Sequence, residues 1–384
     1  METERWFEQL HDLRPGIRAR REEIERGRRM PRDLVEDLRR TGIFRLSVPR
    51  VYGGEEAHPL DLLRIIETVA AVDGSTGWCT MIGIANNVNA GYTPDAGARE
   101  VFADPTAPTA GIADPAGKAI RADGGLRVTG RWKFASGVTH SDWVWAGCIV
   151  HENGVPRMTA HGPEIVHVWL PIGDVQVHDT WFVSGLCGTG SNDISASDVF
   201  VPERRVFELF DPAAHRPEPL FQLPPLGWFV SQVAAVALGL GRGALDELVE
   251  MAPSKVPTLS SAVLADRPAA QLGVARAEAT LGSARAFLHE TVRDLFDTLA
   301  AGNAPTLRQR ALNRVAACNA AEAGAAAVRA AHVLAGGSSI YSSSSLQRHM
   351  RDAEALTHHF SVAPHVWEDA GRVFLGRAPA APVF

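Results

Sequence analysis

The 384-residue chain has few of the residues that build zinc sites, disulfide frameworks or nucleic-acid surfaces. Its four cysteines, Cys79, Cys148, Cys187 and Cys318, stand far apart, which argues against a zinc site and a disulfide framework and indicates a reducing compartment. Lysine is scarce, and the net charge of -6 gives no basic surface for nucleic acid. No uncharged apolar run is long enough to span a bilayer. We therefore expect a cytoplasmic protein with no membrane or nucleic-acid partner.

The order of local patterns predicts three domains. Apolar residues recur at three- and four-residue steps in residues 1–103, which predicts helices. Alternating segments separated by Pro and Gly predict a β-domain over residues 104–215. Because no long helices lie between its strands, we expect an antiparallel barrel or sandwich. Residues 216–384 predict a four-helix bundle, from long periodic stretches at 229–251, 266–300, 307–335 and 346–375.

Residues 129–143 combine aromatic side chains with a hydroxyl and a glycine in one short run. Strand alternation predicts that Trp132, Phe134 and Ser136 share one face, where they could form a floor for a conjugated ring, and Gly137 allows a close turn. The alternative is a strand whose aromatic residues belong to the core and whose Ser-Gly is a turn. The glycine-rich residues 185–193 lead into a strand, so they indicate a bend more than a dinucleotide site.

Histidines near the C-terminus supply further candidates. His359 is followed by Phe360, and imidazole titrates near neutrality, so it can accept or donate a proton. The alternative is an ordinary helix residue. No two histidines show the four-residue step of a helical metal site, so we expect no metal.

Three segments, taken in order, resemble signatures of the acyl-CoA dehydrogenase superfamily: residues 42–54, 189–203 and 350–353. Residues 130–137, with His140 and Trp143, are more similar to the branch of two-component flavin-dependent monooxygenases. The resemblance covers nearly the whole chain. It implies a mainly helical fold with a central β-domain, a homotetramer, and reduced FAD or FMN supplied by a separate reductase.

The resemblance also implies roles for single residues. Trp132, Phe134, Ser136 and Gly137 would lie at the flavin, with Ser136 near its N5 atom, and Arg267 would reach the flavin of a neighbouring subunit. The loop 185–193 would lie near the flavin or the entrance for substrate. The alternative for Arg267 is a surface residue at a helix start. The superfamily's glutamine near the adenylate appears as Val333, which leaves FAD or FMN open.

The substrate side follows from the same resemblance. Trp78, Asn87, His140, His359 and Phe360 would contact substrate, and Phe360 occupies the place of the superfamily's catalytic glutamate. The implied activity is hydroxylation of an aromatic or polycyclic small molecule by O2 through a flavin C4a-hydroperoxide, with His359 and Ser136 as catalytic residues. Two alternatives stay open: an acyl-CoA dehydrogenase with another base, and a non-catalytic flavin-binding or scaffolding homologue.

Overall fold

The computed structural model describes residues 2–160, 162–211, 216–381 and 384. The chain begins with five helices: Glu2–Gly27 (α1), Arg32–Arg40 (α2), Pro59–Ala70 (α3), Gly74–Asn87 (α4) and Asp95–Val101 (α5). Leu34, Val35 and Leu38 form the buried face of α2, as their spacing predicts. Gly42, just after this helix, has a φ of 75°, a backbone conformation that glycine adopts without strain.

The central domain is a twisted sheet. Its strands are Thr109–Ala122 (β1), Gly125–Ala135 (β2), Trp143–Glu152 (β3), Val155–Pro156 (β4), Met158–Thr159 (β5), Gly162–Pro163 (β6), Ile165–Pro171 (β7), Gln176–His178 (β8), Asn192–Pro202 (β9) and Val206–Phe207 (β10). The strand order is β10-β7-β3-β1-β2-β9-β8, with β4 beside β3, while β5 and β6 form a separate small pair.

The predicted antiparallel arrangement is wrong for one pair of strands. β1 and β3 run parallel, with Thr109 opposite Trp143, so the sheet is mixed. The cause is the short connection 136–142. After the β1–β2 hairpin, β2 ends level with the start of β1, and this connection passes the start of β1 to begin β3 on its other side. The connection contains Ser136, Gly137 and His140, so sheet topology places these candidate residues at one end of the sheet.

The C-terminal domain contains the helices Pro219–Gln222 (α6), Pro225–Met251 (α7), Pro268–Ala300 (α8), Leu307–Ala335 (α9), Ser345–Thr357 (α10) and Pro364–Phe374 (α11). The helix predicted over 346–375 is therefore broken in two. Pro364 disfavours a helical residue before it, and residues 358–363 form a short link that contains one 3-10 turn, Phe360–Val362. The predicted boundary between 215 and 216 adjoins residues 212–215, which lie outside the described residues.

α7 is the central helix of this domain. A Cβ atom built on Gly324 of α9 would lie 2.2 Å from the carbonyl oxygen of Ala237, so the absence of a side chain at Gly324 lets the two helices pack closely. By length and composition α7 could cross a membrane, but 89% of its most apolar window is buried inside the protein. Its apolar character is thus accounted for by packing against the other helices.

Candidate active site

The end of β2 departs from regular alternation. The pairing of β2 with β9 shifts between Trp132 and Ala135, and Phe134 between them has a φ of 64°. This bulge turns Phe134 outward, with 68% of its surface exposed, while Trp132 and Ser136 are buried. The prediction that Trp132, Phe134 and Ser136 share one face is therefore wrong.

Trp132 belongs to the interior of the β-domain. Its side chain is fully buried among the sheet's apolar residues, and its indole nitrogen donates to the carbonyl oxygen of Gly147 at 2.8 Å. With its ring packed on all sides and its one donor used, Trp132 has no surface left for a flavin. The predicted cofactor contact of Trp132 is corrected to a core role.

Aromatic side chains on the outside of the same strand end form a surface of their own. Phe134 meets Trp181 edge to face, with ring centroids 6.1 Å apart. Phe182 is 69% exposed, and the guanidinium of Arg28 lies 3.9 Å from its ring centroid. We call Phe134, Trp181 and Phe182 the aromatic face. Large exposed rings beside a buried hydroxyl are typical of a site for a flat ligand.

Trp78 on α4 links the two predicted catalytic residues. Its indole nitrogen donates to Oγ of Ser136 at 3.1 Å, and its ring meets that of His359 edge to face at 5.5 Å. Phe229 and Phe360 also lie against the imidazole, with centroids 5.8 and 4.7 Å away. Ser136 and His359 are more than two hundred residues apart in sequence, and the fold brings both of them to Trp78.

His359 lies in the break between α10 and α11 and caps the short turn that follows. Its Nδ1 accepts the backbone N–H of Ser361 at 3.3 Å and lies 2.7 Å from the hydroxyl of that residue. Burial lowers the pKa of His359 to about 4, so the ring is neutral at pH 7. Because a backbone N–H can only donate, Nδ1 is the acceptor and the ring proton sits on Nε2. His359 can thus offer a donor to a ligand, but it is not poised as a base.

His140 stands beside Gly137. A Cβ atom built on Gly137 would lie 3.3 Å from Nε2 of His140, and the φ of Gly137 is 78°. Burial lowers the pKa of His140 to about 4, so this imidazole is also neutral at pH 7. Its Nδ1 is buried and has no hydrogen-bond partner in the part of the chain that the structure describes. Such an atom is suited to a ligand contact.

Two hydroxyls behind Ser136 were not identified from the sequence. Oγ of Ser136 lies 2.7 Å from Oγ of Ser191, which lies 2.7 Å from Oγ1 of Thr189. Thr189 in turn donates to the carbonyl oxygen of Leu186 at 2.9 Å, and its own carbonyl accepts the N–H of Gly137 at 3.0 Å. The available signal was the run of hydroxyls and glycines at 185–193, which indicates a bend but not its partner.

Arg351 and Asp352 on α10 hold the loop that carries these hydroxyls. Oδ1 of Asp352 accepts the N–H of Leu186 at 2.6 Å, and Arg351 donates to the carbonyl oxygen of Ser184. A Cβ atom on Gly185 would lie 2.0 Å from the carbonyl oxygen of Arg351, so only glycine fits there. Burial raises the pKa of Asp352 to about 7. Arg351 and Asp352, which belong to the superfamily-like segment 350–353, therefore hold this loop in place beside Ser136.

The remaining predicted residues lie elsewhere or have other partners. Asn87 is fully buried, donates to the carbonyl oxygens of Phe44 and Ala107 and accepts from the hydroxyl of Thr109, so its predicted substrate contact is corrected to a structural role. Arg267 is exposed just before α8, and its contact with a neighbouring subunit stays a prediction. Within residues 2–160, 162–211, 216–381 and 384, no cluster of three or more His, Cys, Asp or Glu side chains could hold a metal ion.

Comparison with known families gives two matches, one in each helical domain. Residues 13–101 match the acyl-CoA dehydrogenase N-terminal domain, and residues 231–364 match the acyl-CoA dehydrogenase C-terminal domain. The chain belongs to the acyl-CoA dehydrogenase superfamily. The N-terminal helices, β-domain and C-terminal bundle expected of a superfamily member are confirmed.

Similar proteins define the branch of this superfamily. The indole-3-acetate monooxygenase of Pseudomonas putida is 34% identical over 379 residues, covering 97% of this chain and 94% of that protein. The flavin-dependent monooxygenase oxygenase subunit HsaA of Rhodococcus jostii is 29% identical, covering 93% and 94%. The structure of XiaF from Streptomyces in complex with FADH2 and glycerol has a TM-score of 0.93 at 26% identity, covering 100% of this chain and 98% of that one. The chain is therefore a flavin-dependent monooxygenase that uses reduced flavin.

The residues at the candidate site fit a flavin. The aromatic face offers flat apolar surface, and the buried Nδ1 of His140 offers a polar contact still to be made. Ser136 supplies a hydroxyl at the same strand end. A conjugated ring system with polar edges matches this combination of apolar faces and few fixed polar atoms.

Proposed function

We propose that this protein is the oxygenase component of a two-component system and hydroxylates an aromatic small molecule with electrons from reduced flavin and oxygen from O2. The observation that carries the proposal is the contact of Trp78 with both Ser136 and His359. One buried indole thereby joins a hydroxyl suited to the flavin with an imidazole suited to the substrate. Reduced flavin, when bound, supplies the two electrons that activate oxygen.

His359 orients the substrate in this proposal. Its neutral ring carries the proton on Nε2, so it donates to a hydroxyl, carbonyl or ring nitrogen of the substrate. Trp78, Phe229 and Phe360 provide aromatic surface around that donor, which favours a flat aromatic ligand. In this proposal the bound flavin and substrate cover these side chains, and the exclusion of bulk water from the reacting atoms reduces loss of activated oxygen as peroxide.

The place of Ser136 is the second part of the proposal. Its hydroxyl would lie beside N5 of the flavin, with Gly137 allowing a close approach and Phe134 covering part of the ring.

Arg267 would contact the flavin of a neighbouring subunit in a homotetramer. Exposed apolar side chains on the C-terminal helical domain support an assembly, among them Leu272, Val333, Ile340 and Tyr341. Light scattering of the purified protein tests the tetramer.

A dehydrogenase acting on a CoA thioester is disfavoured by one residue. Phe360 stands where the superfamily's glutamate base is expected and has no group that accepts a proton. His359 beside it keeps Nδ1 occupied by Ser361 and carries its proton on Nε2, so it does not replace that base.

Four buried free thiols support the proposal that the protein works in the reducing cytoplasm, which cell fractionation tests.

The experiment combines labelled oxygen with chemically reduced flavin. Purified protein is mixed with reduced FMN or FAD and an aromatic panel that includes indole-3-acetate, then exposed to 18O2, and products are read by mass spectrometry. A product that gains one 18O atom supports the proposal. Flavin reduction by an acyl-CoA, or by NADH with this protein alone, contradicts it.

A further inference from the structure

The hydrogen bonds behind Ser136 have only one consistent direction. A hydroxyl has one proton, and a carbonyl oxygen can only accept, so the proton of Thr189 points to Leu186. Ser191, 2.7 Å away, must then donate to Thr189. Its single proton is used, and Ser136 must donate to Ser191. The chain runs from Ser136 through Ser191 and Thr189 to the carbonyl oxygen of Leu186.

This direction limits what Ser136 can do for a ligand. Its proton goes to Ser191, and one of its two lone pairs accepts the indole N–H of Trp78. One lone pair is left, so any further hydrogen bond of Ser136 is made as an acceptor. The far end of the hydrogen-bond chain, at Leu186, is held in place because Asp352 accepts the backbone N–H of Leu186.

The two redox states of a flavin differ in what their N5 atom offers. N5 of reduced flavin carries a hydrogen and donates, whereas N5 of oxidised flavin has a lone pair and needs a donor. We propose that Thr189 and Ser191 are positioning residues that fix Ser136 as an acceptor and thereby make the site prefer reduced over oxidised flavin. The inference rests on the proposed placement of Ser136 beside N5. It explains how one chain could capture reduced flavin and release the oxidised form.

The decisive pair of variants is Thr189→Val and Thr189→Ser. Valine keeps the shape of threonine without its hydroxyl, so Ser191 loses its acceptor and donates to Ser136 instead, which turns the proton of Ser136 outward. The carbonyl oxygen of Leu186 keeps two donors, the indole of Trp181 and the N–H of Thr189. Serine at 189 keeps the hydroxyl and the direction of the chain.

The measurement is the dissociation constant of FMN and of FAD in each redox state, by anaerobic titration. The ratio of oxidised to reduced constants should fall by about 2- to 12-fold in Thr189→Val, the range for one hydrogen bond, and stay within about twofold in Thr189→Ser. Should the valine variant not fold, Ser191→Ala provides the same test, because it also removes the inward acceptor of Ser136. Equal ratios in the valine and serine variants would overturn the inference.

Ser136→Ala separates this inference from the proposal beneath it. If Ser136→Ala changes the ratio and neither Thr189→Val nor Ser191→Ala does, the direction of the chain does not set the preference and the inference is wrong, while the placement of Ser136 stands. If Ser136→Ala leaves the ratio unchanged, Ser136 does not lie beside N5, and both fail.

Discussion

The donor role of His359 leads to a prediction that a matched pair of variants can test. Asparagine at 359 keeps an acceptor for the N–H of Ser361 but is too short to reach the position of Nε2. Glutamine is long enough to place an amide N–H near that position. We expect His359→Asn to lower product formation by about 10²–10³-fold, the effect of losing one fixed donor in a pre-organised site. His359→Gln should lose less than about tenfold.

The assay follows product, oxygen uptake and released hydrogen peroxide together, with chemically reduced flavin. In His359→Asn the oxygen missing from product should appear as peroxide, while flavin oxidation continues at the wild-type rate. Because burial lowers the pKa of His359 to about 4, wild-type product formation should not show a His359 titration between pH 6 and 8. Product from His359→Asn within twofold of wild type, or a titration near pH 6.5 that His359→Gln abolishes, would refute the donor role.

Three further predictions concern stability, each measured by urea unfolding. Burial raises the pKa of Asp352 to about 7, so the folded protein binds this proton more tightly than the unfolded chain. As the pH rises from about 4 to 7, the free energy of unfolding of the wild type should fall by about 1.4 kcal/mol per pH unit relative to that of Asp352→Asn. Parallel pH profiles of the two proteins would contradict this. Burial lowers the pKa of His167 to about 4, so its effect on stability has the opposite pH dependence. Between about pH 4 and 6.5 the free energy of unfolding of the wild type should rise by about 1.4 kcal/mol per pH unit relative to that of His167→Phe. A difference that does not change with pH would contradict this. Gly324→Ala should destabilise by more than about 1 kcal/mol because its Cβ meets a backbone oxygen, whereas Gly371→Ala on α11, with open space, should stabilise by about 0.4–1 kcal/mol; the reverse order would disprove the packing argument.

The sequence predicted the domain order better than the detail of the site. Helical spacing and strand alternation are local signals, and they identified the helical and β regions. The outward turn of Phe134 has no such signal, because a bulge with a positive φ at a non-glycine residue depends on the neighbouring strand. Asn87 was misassigned for a related reason, since its partners come from other segments at 44, 107 and 109.

The functional contacts were predictable only through the resemblance to a family. Ser136 and His359 were identified from superfamily-like segments, and the contact of each with Trp78 is tertiary. The resemblance placed the loop of Thr189 and Ser191 near the flavin or the substrate entrance but did not single out their hydroxyls, because these contact Ser136 only once the end of β2 lies beside the loop. The break after α10 was foreseeable from Pro364, which argues against one continuous helix over 346–375.

The apolar α7 has a consequence for how the chain is made. Its main partner, α9, begins at Leu307, more than fifty residues after α7 ends at Met251. At about 5–20 residues per second, a ribosome needs roughly 4–17 s to synthesise the stretch from the end of α7 to the end of α9. During that interval α7 can pack against α3, α4 and, once it has been made, α8, but its main partner α9 is still missing, although α7 is as apolar as a membrane span. We therefore expect newborn chains to expose part of the apolar surface of α7 until α9 has been made, which favours chaperone binding at that stage.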